Sequence, residues 1–300
     1  MSDNETERRA GPAGSLFIIG GGVRPVSMMR TYVDLCGGAD APVVIVPCAS
    51  TQPVEQGERM KQELQRLGCT HATVLDCTLA SPSVDEVRSA AGIYFTGGDQ
   101  SRLRDCLAGK PTLTTIREAY DRGAVVGGTS AGAAVMSRVM LSGNELLNPG
   151  IVSHEEGDNA EAFSRIRQGN IEMTEGFGFL ENCVVDQHFV RRKRENRLIS
   201  VVLEHPELLG IGIDESTAIV VAAGGFEVLG ESCVIVLDAA HTTDVGVGRG
   251  GGLRCIGLTM HVLTEGQRFD LATRMLCRPR DHNSRLAKEE RYERYSLARG

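Results

Sequence analysis

Val125-Val126-Gly127-Gly128-Thr129-Ser130-Ala131-Gly132-Ala133-Ala134 runs an apolar strand into G-x-S-x-G and then directly into a helix of small residues. Gly128 and Gly132 lack a Cβ, so the backbone can turn sharply and the helix can pack close to its strand while Ser130 is held up in a strained, exposed position. The first N–H groups of such a helix have no partner within it and point at any oxyanion formed beside the serine. Taken alone, G-T-S-A-G is also a glycine turn that caps a helix, because Ser and Thr are good N-caps. The functional reading therefore depends on partners elsewhere in the chain.

Working outward, the flanking sequence alternates strand and helix. Residues 16–19 read as a buried strand that ends in Gly20-Gly21-Gly22, and residues 42–46 form a second strand after a helix that begins near Ser27. Both runs are continuously apolar, as strands covered on both faces of a parallel sheet are. Helical periodicity over 53–67, a strand at 73–75, a short helix at 84–90, a strand at 93–95 and a helix at 112–122 lead into the Ser130 strand. This alternation predicts an α/β fold with a doubly wound, mostly parallel sheet. Ligands of such sheets sit beyond the carboxyl ends of the strands. The Gly20-Gly21-Gly22 loop, the Gly97-Gly98-Asp99-Gln100 loop and Ser130 are thus expected on one rim. The triple glycine fits neither G-x-G-x-x-G nor the Walker pattern, so no nucleotide cofactor is expected.

Composition bounds the reading. A chain of 300 residues with 41% hydrophobic content can bury one large core, and the expected division is a disordered segment over 1–13, one α/β catalytic domain over 14–278 and a charged tail over 279–300. A formal charge of −7 argues against generic nucleic-acid binding. No apolar run reaches the roughly 18 to 20 residues of a membrane span. Residues 1–9 are polar with no apolar signal core, so a cytoplasmic protein is expected. The nine cysteines are scattered and never form C-x-x-C, so neither a disulfide framework nor a zinc or other metal site is indicated. They are expected to serve mostly as small core hydrophobes.

Ser130 needs a base and a group to orient that base. Among the seven histidines, His188 closes an apolar strand in Cys183-Val184-Val185-Asp186-Gln187-His188, at the end where a rim site would lie. For the acid, Gly212-Ile213-Asp214-Glu215-Ser216-Thr217 places two carboxylates between apolar strands, where an unpartnered acid is costly. A polar turn gives the same pattern. Further strands are expected at 210–221 and 233–237, antiparallel with a hairpin arm at 226–229. Residues 144–169, with His154, Glu155, Glu156 and Asp158, read as an acidic insertion near the site, a mobile flap.

Gly97-Gly98-Asp99-Gln100, Gly128-Thr129-Ser130-Ala131-Gly132-Ala133, Asp186-Gln187-His188-Phe189 with Arg192, Arg194, Arg197 and Leu198, and Gly212-Ile213-Asp214-Glu215-Ser216-Thr217-Ala218 occur in that order. Together they resemble the cyanophycinases, serine peptidases related to the aspartyl dipeptidases, over residues 17–271. The resemblance implies a fold similar to class I glutamine amidotransferases (flavodoxin-like), with extra antiparallel strands toward the C-terminus. It also implies a catalytic triad of Ser130, His188 and Glu215, and an oxyanion hole of the Ala131 and Gly98 N–H groups. By the same resemblance Gln100, Asp186, Gln187, Arg192, Arg194 and Arg197 line the substrate pocket, and the protein is a homodimer. The order Ser, His, acid differs from that of α/β-hydrolases, so a lipase or esterase is not indicated.

The family's substrate, cyanophycin, is a poly-aspartate backbone whose β-carboxyls carry arginine, and the products are β-Asp-Arg dipeptides. Guanidinium groups can hold a terminal carboxylate in bidentate fashion, with Asp186 meeting the substrate's own arginine. The competing reading of residues 191–197 is a solvated helix face. Arg192 lies about 200° from Arg194 on a helix, so the three arginines converge only if the start of the run is not regular helix. Two other functions share these residues: an aspartyl or isoaspartyl dipeptidase with another pocket, and a non-catalytic binding protein on a hydrolase fold.

Overall fold

The computed structural model describes residues 14–77, 84–147 and 165–277. The segment 1–13, the tail 279–300 and the insertion residues His154, Glu155, Glu156 and Asp158 lie outside the described residues. No helix among the described residues is long and apolar enough to cross a membrane.

The fold is mixed α/β. Its larger sheet has nine strands in the order Met275–Leu276, Arg268–Asp270, Gly225–Gly230, Thr217–Ala222, Ser15–Ile19, Val125–Thr129, Gly92–Phe95, Val43–Val46 and Ala72–Val74. The five strands from Ser15–Ile19 to Ala72–Val74 run parallel. Thr217–Ala222 joins them antiparallel along Ser15–Ile19. Alternate side chains of the central strand serve different cores. Leu16 and Ile18 pack with the helices that carry Val87, Leu103 and Ile116, whereas Phe17 and Ile19 pack with Met28, Tyr32, Met60 and Leu64. This period-two division is why these strands are apolar without interruption.

Not every later strand extends that sheet. Thr259–Leu263, Val234–Asp238, Leu209–Ile213 and Cys183–Gln187 form a separate four-stranded sheet, in which Cys183–Gln187 lies parallel to Leu209–Ile213. The stretch read as one strand over 210–221 breaks at Asp214, and its halves enter different sheets. Ser130 therefore leaves one sheet and His188 the other, and residues 214–216 cross between them. At the edges of the acidic insertion, Val139–Glu145 and Ile171–Glu175 pair as a ribbon.

One expectation about cysteine is corrected. Cys48 and Cys77 form a disulfide. They stand 29 residues apart in sequence, but Val43–Val46 and Ala72–Val74 are parallel neighbours, so the residues just past their ends share one rim. Cys36, Cys69 and Cys183 are buried free thiols, as expected of small core residues.

Candidate active site

Ser130 sits between Val125–Thr129 and the short helix Ala131–Ala134 with φ 54 and ψ −112. That backbone is strained for a residue with a Cβ. Its surroundings explain how it is tolerated. A Cβ on Gly128 would stand 2.3 Å from the Gly132 carbonyl oxygen, and one on Gly132 would stand 2.4 Å from that of Phe95. Only glycine lets the turn close this tightly.

His188 follows the strand Cys183–Gln187 and also has a positive φ, 49°. Its N–H donates to the Gly20 carbonyl at 2.8 Å, which ties the end of the smaller sheet to the larger one. Its Nε2 lies 2.9 Å from Ser130 Oγ and its Nδ1 lies 2.6 Å from Glu215 Oε1. Hydroxyl, imidazole and carboxylate thus stand in one hydrogen-bonded line. Such a line can take the hydroxyl proton as the oxygen attacks an electrophile and hold the resulting imidazolium beside an anion. Burial, reinforced by the Arg192 and Arg194 charges, lowers the His188 pKa to about 4 against the opposing pull of Glu215. The imidazole is therefore neutral, and able to accept a proton, at neutral pH.

The paired carboxylates of the crossing segment divide the work. Glu215 meets His188, while Asp214 accepts from the Arg191 N–H at 2.9 Å and from Ser232 Oγ at 2.7 Å. Asp214 thereby fixes the turn that follows His188.

The Gly20-Gly21-Gly22 loop is more than a rim marker, and sequence reasoning missed its part. A Cβ on Gly21 would fall 2.3 Å from His188 Cε1, and one on Gly22 would fall 2.8 Å from Glu215 Oε2. The Gly21 carbonyl also accepts from Ser216 N–H at 2.9 Å. The loop is the floor on which imidazole and carboxylate rest. The available signal was its position, immediately after the strand adjacent to that of Ser130.

The expected pocket residues lie at different depths. The helix after His188 starts only at Glu195, so the basic run begins outside regular helix, as convergence of its arginines requires. Arg192 is half-exposed. Asp186 and Arg197 are each 1% exposed. Arg197 Nε donates to Asp186 Oδ2 at 2.6 Å, and its Nη2 contacts the other carboxylate oxygen. This placement differs from an Asp186 that greets a ligand's guanidinium at the surface, because the carboxylate is taken by Arg197. Arg194 is buried as well and donates from Nη1 to the Gln187 carbonyl at 2.8 Å and to its side-chain oxygen. Burial and the charge of Arg197 lower the Arg194 pKa to about 9, with Asp186 opposing, so it is a cation at neutral pH. Gln100, also buried, donates to the Leu141 and Ser142 carbonyls at 3.0 and 2.7 Å and so anchors the ribbon beside the site. Gly98 is exposed with φ 143, and a Cβ on Gly97 would lie 3.4 Å from Ser130 Cβ. Ala131 directly follows Ser130 and is fully buried.

A serine in line with a histidine and a carboxylate, at strand ends of a mixed α/β fold, is an arrangement that serine hydrolases, peptidases among them, use. Comparison with known proteins agrees. The model of peptidase family S51 matches residues 16–229. A cyanophycinase from Nostoc sp. is 34% identical over 274 residues, covering 87% of this chain and 86% of its own. One from Synechococcus elongatus is 31% identical over 281 residues, covering 89% and 82%. Among solved structures, a peptidase from an acI-B1 Actinobacterium has a TM-score of 0.62 at 25% identity, covering 86% of this chain and 97% of that one. A putative peptidase E from Listeria monocytogenes shares the fold at a TM-score of 0.50 and 20% identity, covering 73% and 99%. The chain belongs to peptidase family S51 and is a serine-type peptidase.

Two outcomes follow from the packing. Replacing Arg197 by Met removes the bidentate partner of the buried Asp186 carboxylate, leaving it Arg194 at 3.8 Å and the Gln187 N–H at 2.8 Å, and is expected to cost about 3 kcal/mol in chemical denaturation, whereas Arg59→Met, at an exposed ion pair, is expected to stay within about 0.5 kcal/mol. Gly21→Ala is expected to push the imidazole ring of His188 off Ser130 and to slow labelling of Ser130 by a fluorophosphonate about 100-fold or more, with an unchanged far-ultraviolet circular dichroism spectrum.

Proposed function

We propose that this protein is a cyanophycinase: a serine-type exopeptidase that hydrolyses cyanophycin to β-Asp-Arg dipeptides through an acyl-enzyme, on a doubly wound, glutamine-amidotransferase-like core. The observation that carries this reading is the chain from Ser130 Oγ through His188 to Glu215, at 2.9 and 2.6 Å. Ser130 attacks the backbone carbonyl and His188 takes its proton, then delivers it to the leaving amine. Water, activated by the same imidazole, clears the ester. Glu215 orients the ring and offsets the charge it acquires. The N–H groups of Ala131 and Gly98 serve the developing oxyanion, and the absence of side chains at Gly97 and Gly98 leaves room for the substrate beside Ser130.

The recognition elements sort by depth. Arg192, half-exposed and close enough to depress the His188 pKa, is placed to receive the carboxylate at a chain end. Arg194, Gln187, Arg197 and Asp186 hold the turn that presents it. A carboxylate at Arg192 offsets one of the charges that weaken the base, so His188 gains proton affinity when the site is filled.

Ser130→Ala is expected to lower dipeptide release from cyanophycin, followed by mass spectrometry, at least about a thousandfold with the fold intact. Normal turnover by that variant would reject the mechanism. Wild-type cleavage of free Asp-X dipeptides with none of cyanophycin would replace the substrate. In the free enzyme, kcat/KM is expected to stay level as pH falls through the usual histidine range and to reach half its plateau near pH 4, where the buried imidazole takes its proton. An acid limb near pH 6.5 would contradict the buried, neutral base.

A further inference from the structure

Three cysteines converge on the rim that carries Ser130. Cys48 lies just past Val43–Val46 and Cys77 just past Ala72–Val74, while Cys106 lies in the last turn of the helix Gln100–Leu107. That helix follows Gly92–Phe95, the other parallel neighbour of Val43–Val46. Topology therefore brings three distant positions to one place. Cys48 and Cys77 are bonded, and all three sulfurs lie within 4.8 Å of one another. Cys48 is buried, whereas Cys77 and Cys106 are half-buried.

A free thiol this close to a disulfide is an exchange partner, because exchange proceeds by attack of a thiolate on one of the two sulfurs. The direction of attack is set by solvation. Expelling Cys48 would leave a thiolate in the buried position, whereas expelling Cys77 places the charge at the half-exposed one, where water stabilises it. We propose that Cys48, Cys77 and Cys106 form a thiol–disulfide exchange site, in which Cys106 attacks the Cys48 sulfur and releases Cys77. The Cys48–Cys77 bond breaks as the Cys48–Cys106 bond forms, and the proton lost by Cys106 is returned to Cys77 through solvent. Nothing is oxidised or reduced overall.

The two arrangements anchor different elements. In one, Cys48 is tied to the end of Ala72–Val74; in the other, to the helix that Gln100 begins. Cys48 immediately precedes Ala49, whose carbonyl accepts from Asp99 N–H at 2.9 Å and lies 2.3 Å from where a Gly98 Cβ would be. Exchange thus moves a covalent tether beside the Gly98 loop. It also presents Cys77 as a free, partly exposed thiol open to small thiol reagents. Burial raises the Cys106 thiol pKa and the Lys110 charge opposes that, so the attacking thiolate becomes more abundant as pH rises.

The test is a disulfide map of the intact wild-type chain. Protein held with substoichiometric dithiothreitol at about pH 7 and about pH 8.5 is quenched in acid, capped with N-ethylmaleimide and digested without reduction. Sampled at a fixed early time, the expected digest holds a Cys48–Cys106 peptide beside the Cys48–Cys77 one, its amount rising severalfold toward the higher pH, where exchange is faster. Diamide-oxidised Cys77→Ser protein supplies the Cys48–Cys106 peptide as a standard, and a synthetic peptide disulfide replaces it if that variant does not fold. Absence of the Cys48–Cys106 peptide from wild type at both pH values, with Cys106 fully capped, overturns the proposal.

Discussion

The hydrogen bond from the His188 N–H to the Gly20 carbonyl is the contact on which the site depends. Ser130 ends a strand of the nine-stranded sheet, and His188 ends a strand of the four-stranded one. Without a fixed junction, the separation of Oγ and Nε2 would follow any sliding between the sheets. The junction is closed by backbone groups: Gly20 receives His188, Gly21 receives Ser216, and the Gly20 N–H donates to Thr217. Backbone contacts of this kind fix position without the rotamer freedom of long side chains. They place imidazole and carboxylate against the same glycine floor.

That arrangement is paid for in backbone conformation. Ser130, His188 and Ser216 all have positive φ, at 54°, 49° and 55°. Ser130 and His188 lie where the chain leaves a strand and must turn at once, and Ser216 is the last residue of the crossing before the chain enters Thr217–Ala222; each conformation persists because its surroundings over-determine it. The buried Asp186–Arg197 pair and Arg194 stabilise the departure at His188. Arg194 holds the Gln187 carbonyl immediately before His188, while Asp214 holds the Arg191 N–H just after it. Burial, reinforced by the Arg192 and Arg194 charges, also keeps the imidazole neutral, so a group that shapes the turn, Arg194, helps set its protonation.

How much of this was legible in the chain differs by element. Gly128 and Gly132 around Ser130 announced their turn, because a sharp bend with close helix packing has few solutions in residue type. The parallel half of the larger sheet followed from uninterrupted apolar strands between amphipathic helices, such as Val43–Val46 before Pro53–Arg66. Membership of a sheet was not legible. The Cys183-Val184-Val185 start of the strand Cys183–Gln187 is as continuously apolar as Val43–Val46, and periodicity reports that both faces are covered without reporting by what. The break at Asp214 was visible as a polar interruption, yet whether it was a simple turn or a crossing between sheets is decided by tertiary pairing.

Charge was the least legible property. A run such as Arg191-Arg192-Lys193-Arg194 reads as solvated because isolated ionised groups avoid the interior. Arg194 and Arg197 are nevertheless buried, since Asp186 and the Gln187 carbonyl, upstream on a different element, accept hydrogen bonds from them. The acid that makes burial tolerable is far enough away that helical spacing within the run says nothing about it. Cys48 and Cys77 present the same difficulty in covalent form, because their proximity is created by two strands lying side by side rather than by sequence spacing. In each case the sequence carries the chemical need, a partner for a charge or for a sulfur, and only the order of strands decides which residue meets it.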